Sequence, residues 1–432
     1  MTLHFRQGAD AYDITIARGA LSQAGELFKL DRKVLVVTGE GVPPQYADTL
    51  LSQCPEGFLL TVPEGEANKT LASVELILEA LLEHGFTRGD AVVAVGGGVV
   101  GDTAGFAAAC YMRGIDWYNV PTTLLSQADS SVGGKTGVNL HGVKNIVGAF
   151  RQPAGVLIDP DTLDTLSPRL FSEGLAEIIK MAATSDAELF RLLESADDIR
   201  PIMEVVLAAA LCIKIAVVEA DPTEHGLRAV LNFGHTIGHA LEGAAAGCKS
   251  ADSTPGMTEM EQSGCKNGQI TPATTVTEAQ RADSISSASA AEDSGMGPLA
   301  PVSVSTLGHV RGRGPQAQRS GRDEPAERAK ISGAMAPTGA EGGKLYHGEA
   351  VAIGMLYMAE GEARERIERV LQKYGLPTQD TFDTEELMHF ALHDKKKRQG
   401  KIKIVKVSQI GSFRFEEAGE DELRAIIQAR KI

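Results

Sequence analysis

At 432 residues the chain exceeds what one hydrophobic core usually supports, so two domains are the default expectation, and 43% hydrophobic content is enough to bury both. A formal charge of −15 disfavours nucleic acid or an anionic membrane as the main partner, while leaving room for a local basic pocket that attracts an anionic small molecule. Five cysteines (Cys54, Cys110, Cys212, Cys248, Cys265) form no CxxC pair, which suits the reducing cytoplasm. The N-terminus lacks a basic region followed by an apolar one, and no uncharged apolar run is long enough to span a bilayer, so neither export nor membrane insertion is expected.

Up to about residue 160, short β-branched runs alternate with amphipathic stretches. Val34–Val37 reads as a strand, 44–53 and 69–84 as helices, and Ala91–Val95 as a second strand, an order that predicts an α/β domain with a largely parallel sheet. Pro63-Glu-Gly-Glu66-Ala-Asn-Lys69 sets an acid and a base three residues apart at a helix start, where they could hold ribose hydroxyls and a phosphate or simply cap the helix. Gly96-Gly-Gly98-Val-Val-Gly101-Asp102 follows the second strand and precedes a helical run from Thr103 to Cys110. Strand, glycine turn and helix N-terminus make an anion cradle, although a tight turn alone would also require glycine.

Asp129-Ser-Ser-Val-Gly-Gly-Lys135-Thr-Gly, followed by Lys144-Asn145, reads as a glycine-softened polar loop whose lysines and amides suit a phosphate. Its Gly-Lys-Thr resembles the end of a Walker A loop, but the first glycine of that pattern would fall at Asp129, so a nucleotide triphosphatase is rejected. From 161 to 247 the signals are mostly helical: Pro168 opens one helix, Leu189–Leu193 lies in the next, and Ile202–Val218 forms a long apolar one.

Glu177 and Lys180 share a helix face. Asn232-Phe-Gly-His235-Thr-Ile-Gly-His239 places two histidines at i and i+4, where they either point at one centre or pack and cap. Glu177 could join His235 and His347 of His347-Gly-Glu-Ala-Val as a His₂Glu set with an open position for chemistry.

Residues 248–343 break the pattern. These 96 residues contain no Phe, Trp or Tyr and are dominated by Ser, Thr, Ala, Gly and Pro, so the stretch is expected to be a disordered, low-complexity insertion, or translated intervening DNA. Beyond it, 364–378 reads as a helix ending at Gly375-Leu-Pro377, and Lys401–Phe415 as a hairpin around Ile410-Gly411.

These motifs, in this order, resemble the 3-dehydroquinate synthase family of the sugar-phosphate cyclases. The resemblance also rests on Tyr111-Met-Arg113-Gly, Pro121-Thr122-Thr123-Leu-Leu and Arg228-Ala-Val-Leu-Asn232, and it covers nearly everything except 248–343. It implies a Rossmann-like NAD-binding α/β domain over 1–160 and a mostly helical metal- and substrate-binding domain over 161–247 and 344–432. The implied reaction converts the seven-carbon sugar acid phosphate DAHP to 3-dehydroquinate and phosphate in the shikimate pathway, through NAD-mediated oxidation, phosphate elimination, reduction and internal aldol closure. NAD and one Zn²⁺ or Co²⁺ are the implied cofactors, and a homodimer the implied assembly.

Carried over residue by residue, the resemblance makes Glu177, His235 and His347 metal ligands and turns His239 towards the substrate phosphate. It places Glu66, Lys69, Gly97, Gly98, Asp102, Thr122, Thr123, Lys144 and Thr165 around NAD, and Asp129, Lys135, Asn145, Lys180, Lys214, Arg228, Asn232 and Lys396 around substrate. Arg113 would reach a phosphate across the dimer interface.

Thr38-Gly39-Glu40-Gly41 has glycine where the family usually places an aspartate for the adenosine ribose, and the stretch from His347 to Lys396 is shorter than in many members. If 248–343 is deleted in thought, Gly247 joins Lys344 and His239 lies 12 residues before His347, so the insertion occupies a helix–helix connection. Three other readings remain beside this one. A related cyclase making an inosose or a valiolone would not need Arg228, Lys214 and Asn232 for a carboxylate, and an iron-activated NAD-dependent polyol dehydrogenase would not need so many lysines. A non-catalytic relic would have its site split by the insertion.

Overall fold

A computed structural model describes residues 1–247 and 345–430, apart from Ala9, His225, Ala246 and 394–400. The expected disordered stretch at 248–343, with Cys248 and Cys265, lies outside the described residues, as does Lys396.

The frame is a seven-stranded sheet in the order β1-β2-β9-β6-β5-β3-β4, formed by β1 (Thr2–Gln7), β2 (Asp10–Ile16), β3 (Lys33–Gly39), β4 (Glu56–Val62), β5 (Ala91–Gly96), β6 (Asp116–Pro121) and β9 (Gly155–Ile158). Only the β1–β2 pair is antiparallel, and the remaining neighbours run parallel, with Val36 opposite Val93 and Val93 opposite Tyr118. Continuous apolar runs such as 34–37 and 91–95 fit strands buried on both faces. Because side chains alternate, Leu35, Val37, Val92 and Ala94 pack on one face with α3 (Leu71–Glu83) and α4 (Gly98–Cys110). Val34, Val36, Val93 and Val95 pack on the other with α1 (Ala24–Leu27) and α2 (Pro44–Leu51).

The segment read as a polar loop is more ordered than its glycines suggest. A π-helical turn at Ser126–Ser130 leads into a hairpin of β7 (Lys135–Leu140) and β8 (Val143–Phe150). Val138 is buried against α4, and Gly137 faces Gly148 so closely that a Cβ on Gly137 would lie 2.6 Å from the Val147 carbonyl. Glycine here permits close strand pairing; it does not mark a loop.

The helical region comprises α5 (Pro168–Ser185), α6 (Ala187–Ser195), α7 (Met203–Ala220), α8 (His235–Ala245), α9 (His347–Met358), α10 (Gly361–Lys373), α11 (Thr384–His393) and α12 (Glu420–Arg430), with the hairpin β10 (Ile402–Lys406) and β11 (Arg414–Ala418). Its core is continuous with Phe5, Tyr12, Ile14 and Ile158 of the sheet. Arg200–Ala220 is long and apolar enough to cross a membrane by composition, but Val206, Leu207, Leu211 and Val217 on it are buried in this core. Gly354 of α9 packs against the Gly234 carbonyl at the start of α8, leaving no space for a Cβ. That closeness packs α8 against α9, and across the crossing the His235 and His347 rings lie 5.2 Å apart.

Candidate active site

The glycine cradle forms where β5 ends. Gly97 caps α4 and Gly98 opens it, so the free N–H groups of the first turn face outward from the sheet edge. A Cβ on Gly97 would lie 3.0 Å from the Thr123 methyl, and one on Gly98 would lie 3.2 Å from the Ser130 hydroxyl. The Thr122 N–H donates to the Gly96 carbonyl at 2.9 Å, which fixes the β6 end beside the cradle. One turn into α4, Asp102 accepts from Lys69 Nζ at 2.5 Å, and the same ammonium donates to Asn145 Oδ1 at 2.6 Å. Burial pushes the Asp102 carboxyl up to about 6, although Lys69 opposes the shift.

Glu66 Oε1 accepts from Asn139 at 2.9 Å, which ties the Glu66–Asn68 turn to β7. Thr165 is bonded to the Tyr46 hydroxyl at 2.8 Å. Gly39 is buried beside Val100, whose methyl would lie 3.2 Å from a Cβ there, so the Val100 side chain would have to give slightly for a larger residue.

Three helices converge on the second centre. Glu177 from the middle of α5, His235 from α8 and His347 from α9 bring one potential ligand atom each within 4.8 Å of one another. Glu177 is buried, its Oε2 accepting from Lys180 one turn away and its Oε1 making no hydrogen bond. That free oxygen lies 3.5 Å from His347 Nε2 and 3.8 Å from His235 Nε2. A buried carboxylate oxygen without a donor, facing two imidazole nitrogens, is the arrangement a divalent cation would complete, and the donor set fits Zn²⁺ or a similar ion.

The electrostatics agree with a charged centre. Burial favours the neutral acid at Glu177, but Lys180, His235 and His347 outweigh it and hold the carboxyl well below its usual range. Burial, reinforced by Lys180, pushes His235 well below an ordinary histidine. At His347 burial is overcome by the Glu177 and Glu242 carboxylates, which raise it to about 10. His239 stands one turn along α8, its ring 5.4 Å from His235 and 6.0 Å from His347.

A third group forms a basic wall beside these. Lys214, buried on α7, donates to Asp129 Oδ1 at 2.7 Å, and burial lowers its affinity for a proton despite that partner. Arg228 is also buried, its Nη1 donating to the Pro222 carbonyl at 2.8 Å while Nη2 lies 3.1 Å from where a Cβ on Gly133 would sit. Gly133 has φ +104°, a conformation that only glycine adopts freely. Asp221 Oδ2 accepts the N–H groups of Gly226 and Arg228 at 2.8 and 2.9 Å, which holds the turn that aims the guanidinium.

Glu224 links two expected substrate residues, accepting from Lys135 at 2.6 Å and from Asn232 at 3.2 Å. Lys144 reaches Glu242 at 3.4 Å.

Asn145, expected around substrate, accepts from Lys69, expected around NAD, so the two groups of residues touch there. Arg113 follows the far end of α4, whose 13 residues span about 20 Å from the cradle at 1.5 Å per residue. It therefore cannot serve the cradle end of its own chain. Sequence reading missed Glu224 and Glu242. Glu242 carried a signal, since 235, 239 and 242 follow the i, i+4, i+7 spacing of one helix face.

The chain matches known proteins over both of its halves. The family model described as 3-dehydroquinate synthase N-terminal matches residues 59–173, and the one described as 3-dehydroquinate synthase C-terminal matches 174–251 and 336–397. This chain belongs to the 3-dehydroquinate synthase family. The 3-dehydroquinate synthase of Enterococcus faecalis is 34% identical over 438 aligned residues, covering 96% of each chain. That of Sulfurimonas denitrificans is 48% identical over 240 residues, or 55% of this chain and 67% of the relative.

Among solved structures, the 2-epi-5-epi-valiolone synthase of Streptomyces hygroscopicus, with NAD+ and Zn2+ bound, aligns with a TM-score of 0.69 at 22% identity, covering 99% of both chains. A 2-deoxy-scyllo-inosose synthase complexed with carbaglucose-6-phosphate, NAD+ and Co2+ aligns at 0.67 and 19%, again over 99% of both. At those identities the likeness speaks for the fold. The 3-dehydroquinate synthase match passes over 252–335, which falls inside the stretch the sequence sets apart.

Proposed function

We propose that this chain is a 3-dehydroquinate synthase that converts DAHP to 3-dehydroquinate and inorganic phosphate with NAD and Zn²⁺ or Co²⁺, acting as a cytoplasmic homodimer. The reading is carried by the family match across both halves of the chain. It is supported by the free Oε1 of Glu177 facing His235 and His347. In this reading 1–160 binds the dinucleotide, while 161–247 and 344–432 hold cation and substrate.

Bound NAD would supply hydride acceptance and return at a secondary alcohol that the cation would polarise, and the ketone so formed would acidify the neighbouring C–H for elimination. The protein supplies the rest. Glu177, His235 and His347 hold the cation, and Lys180 keeps the far oxygen of Glu177 occupied so that Oε1 faces inward. The amides of Gly97 and Gly98 cradle the dinucleotide phosphates, with Thr122 and Thr123 beside them, while Glu66, Asp102 and Thr165 take ribose hydroxyls.

Lys69 orients both Asp102 and Asn145, so it couples the dinucleotide to the substrate. Arg228 clamps the substrate carboxylate with two parallel hydrogen bonds, a geometry lysine cannot offer. Lys214 and Asp129 orient hydroxyls, and Lys135 and Asn232 extend the polar wall. His239, with Lys396 and the partner copy's arginine at position 113, stabilises the departing phosphate.

The test is phosphate release from DAHP with NAD and Zn²⁺, together with identification of the cyclic product, on the intact chain and on one lacking 248–343. Release is expected from both. Release from neither overturns the assignment, and release from the deletion alone makes the intact chain a relic.

A further inference from the structure

Glu242 sits on the last turn of α8, before the long stretch between α8 and α9, and His347 is the first residue of α9 after it. They are 105 positions apart, yet His347 Nδ1 lies 3.2 Å from Glu242 Oε1. A carboxylate has no proton to give, so Nδ1 must be the donor, and a ring that gives up its other proton to bind a cation then has its lone pair on Nε2. Nε2 is the atom that faces Glu177 Oε1 at 3.5 Å. The second oxygen of Glu242 is held by Lys144 Nζ at 3.4 Å, from the β7–β8 hairpin. Glu242 is therefore restrained from both sides, with its side chain only 14% exposed.

We propose that Glu242 is a positioning residue for the cation site: it selects the His347 tautomer that presents Nε2 inward and pins the start of α9, whatever chain lies between the two helices. The proposal rests on the reading of Glu177, His235 and His347 as the cation ligands. It differs from a merely structural ion pair, because the tautomer it selects determines how a cation is bound. The competing arrangement is a second cation on His239, Glu242 and His347, whose potential ligand atoms also lie within 4.8 Å of one another.

The experiment uses the full chain with Glu242→Ala and Glu242→Gln. It measures Zn²⁺ affinity by chelator competition, Zn²⁺ stoichiometry, and the visible absorption of the Co²⁺-loaded protein. Outer partners of ligating histidines typically contribute about 10- to 100-fold in metal affinity. We expect Glu242→Ala to weaken Zn²⁺ by that factor and to alter the Co²⁺ bands, with one equivalent bound throughout. Glu242→Gln, whose amide oxygen still accepts from Nδ1, should recover part of both.

If Glu242→Ala does not fold, Glu242→Gln carries the test, with a smaller loss of affinity and an intermediate Co²⁺ spectrum expected. Unchanged affinity and spectrum in the variants beside a tightly binding parent overturn the positioning role alone. A parent that binds no Zn²⁺ overturns the cation-site reading with it. Two equivalents in the parent and one in Glu242→Ala would make Glu242 a ligand and overturn the proposal in favour of the second site.

Discussion

Lys180 donates to Glu177 from one turn further along α5, and both side chains are only 2% exposed. The pair occupies one carboxylate oxygen and leaves the other for the histidines. Removing one member of a buried ion pair leaves an uncompensated charge and costs about 3 to 5 kcal/mol, whereas replacing both by apolar or neutral groups is often close to neutral. Lys180→Met should therefore destabilise the cation-free chain by roughly that amount in urea unfolding. The double variant Glu177→Gln/Lys180→Met should recover most of the loss, and additive losses would show that the two residues do not act as a pair.

Gly348 follows His347 at the start of α9 and lies against the Glu173 carbonyl of α5 with no room for a Cβ. Gly348→Ala must push the helix start away from α5, at a cost of about 1 to 3 kcal/mol for overpacking. Because His347 is adjacent, Zn²⁺ affinity should fall in parallel. Gly25→Ala, where the nearest atom to the new Cβ would be 3.4 Å away on Gln53, serves as the near-neutral comparison. Equal stability and Zn²⁺ binding in the two variants would exclude this crossing as a determinant of the site.

The cradle was legible in the sequence because its parts are local. An apolar run, three glycines and a helix start lie within 20 residues, and each obeys short-range rules. The histidine pair was legible for the same reason, through helical spacing. The hairpin β7–β8 was hidden, because glycine and lysine lower strand expectation while the pairing of Gly137 with Gly148 is decided by tertiary contact. Glu224 looked like an ordinary surface acid among 57 acidic residues and Glu242 had only its helical spacing to the histidines, and the fold brings them to Lys135, Asn232 and His347. The link between Lys69 and Asn145 was hidden because the two lie 76 positions apart.

Asp102 makes the ligand-free chain sensitive to pH. Its folded carboxyl is raised to about 6 from 3.8, chiefly by burial, so the folded chain holds the proton more tightly than the unfolded one. That contribution to stability is fully present below the unfolded value and is lost as pH rises through about 6. The size is about 3 kcal/mol at 1.36 kcal/mol per unit. The stability of the parent relative to Asp102→Asn should therefore decline between pH 4 and pH 7 in denaturant titrations. A difference that stays flat across that window would mean the carboxyl is not perturbed as stated.

His235 and His239 share one face of α8, but only His235 belongs to the set with Glu177 and His347; His239 groups instead with Glu242 and His347. The two sets predict different outcomes for alanine variants. A ligand that binds only the folded chain stabilises it by about 2.7 kcal/mol at a hundredfold excess over its dissociation constant. Zn²⁺ should raise the melting temperature of the parent accordingly, and a chelator should reverse the gain. Glu177→Ala, His235→Ala and His347→Ala should each abolish the shift. His239→Ala should keep the Zn²⁺ shift and lose phosphate release from DAHP, since the role proposed for it is towards the leaving group. The reverse pattern, with the shift surviving His235→Ala and disappearing in His239→Ala, would move the cation to the second set and require the ligand assignment to be redrawn around Glu242.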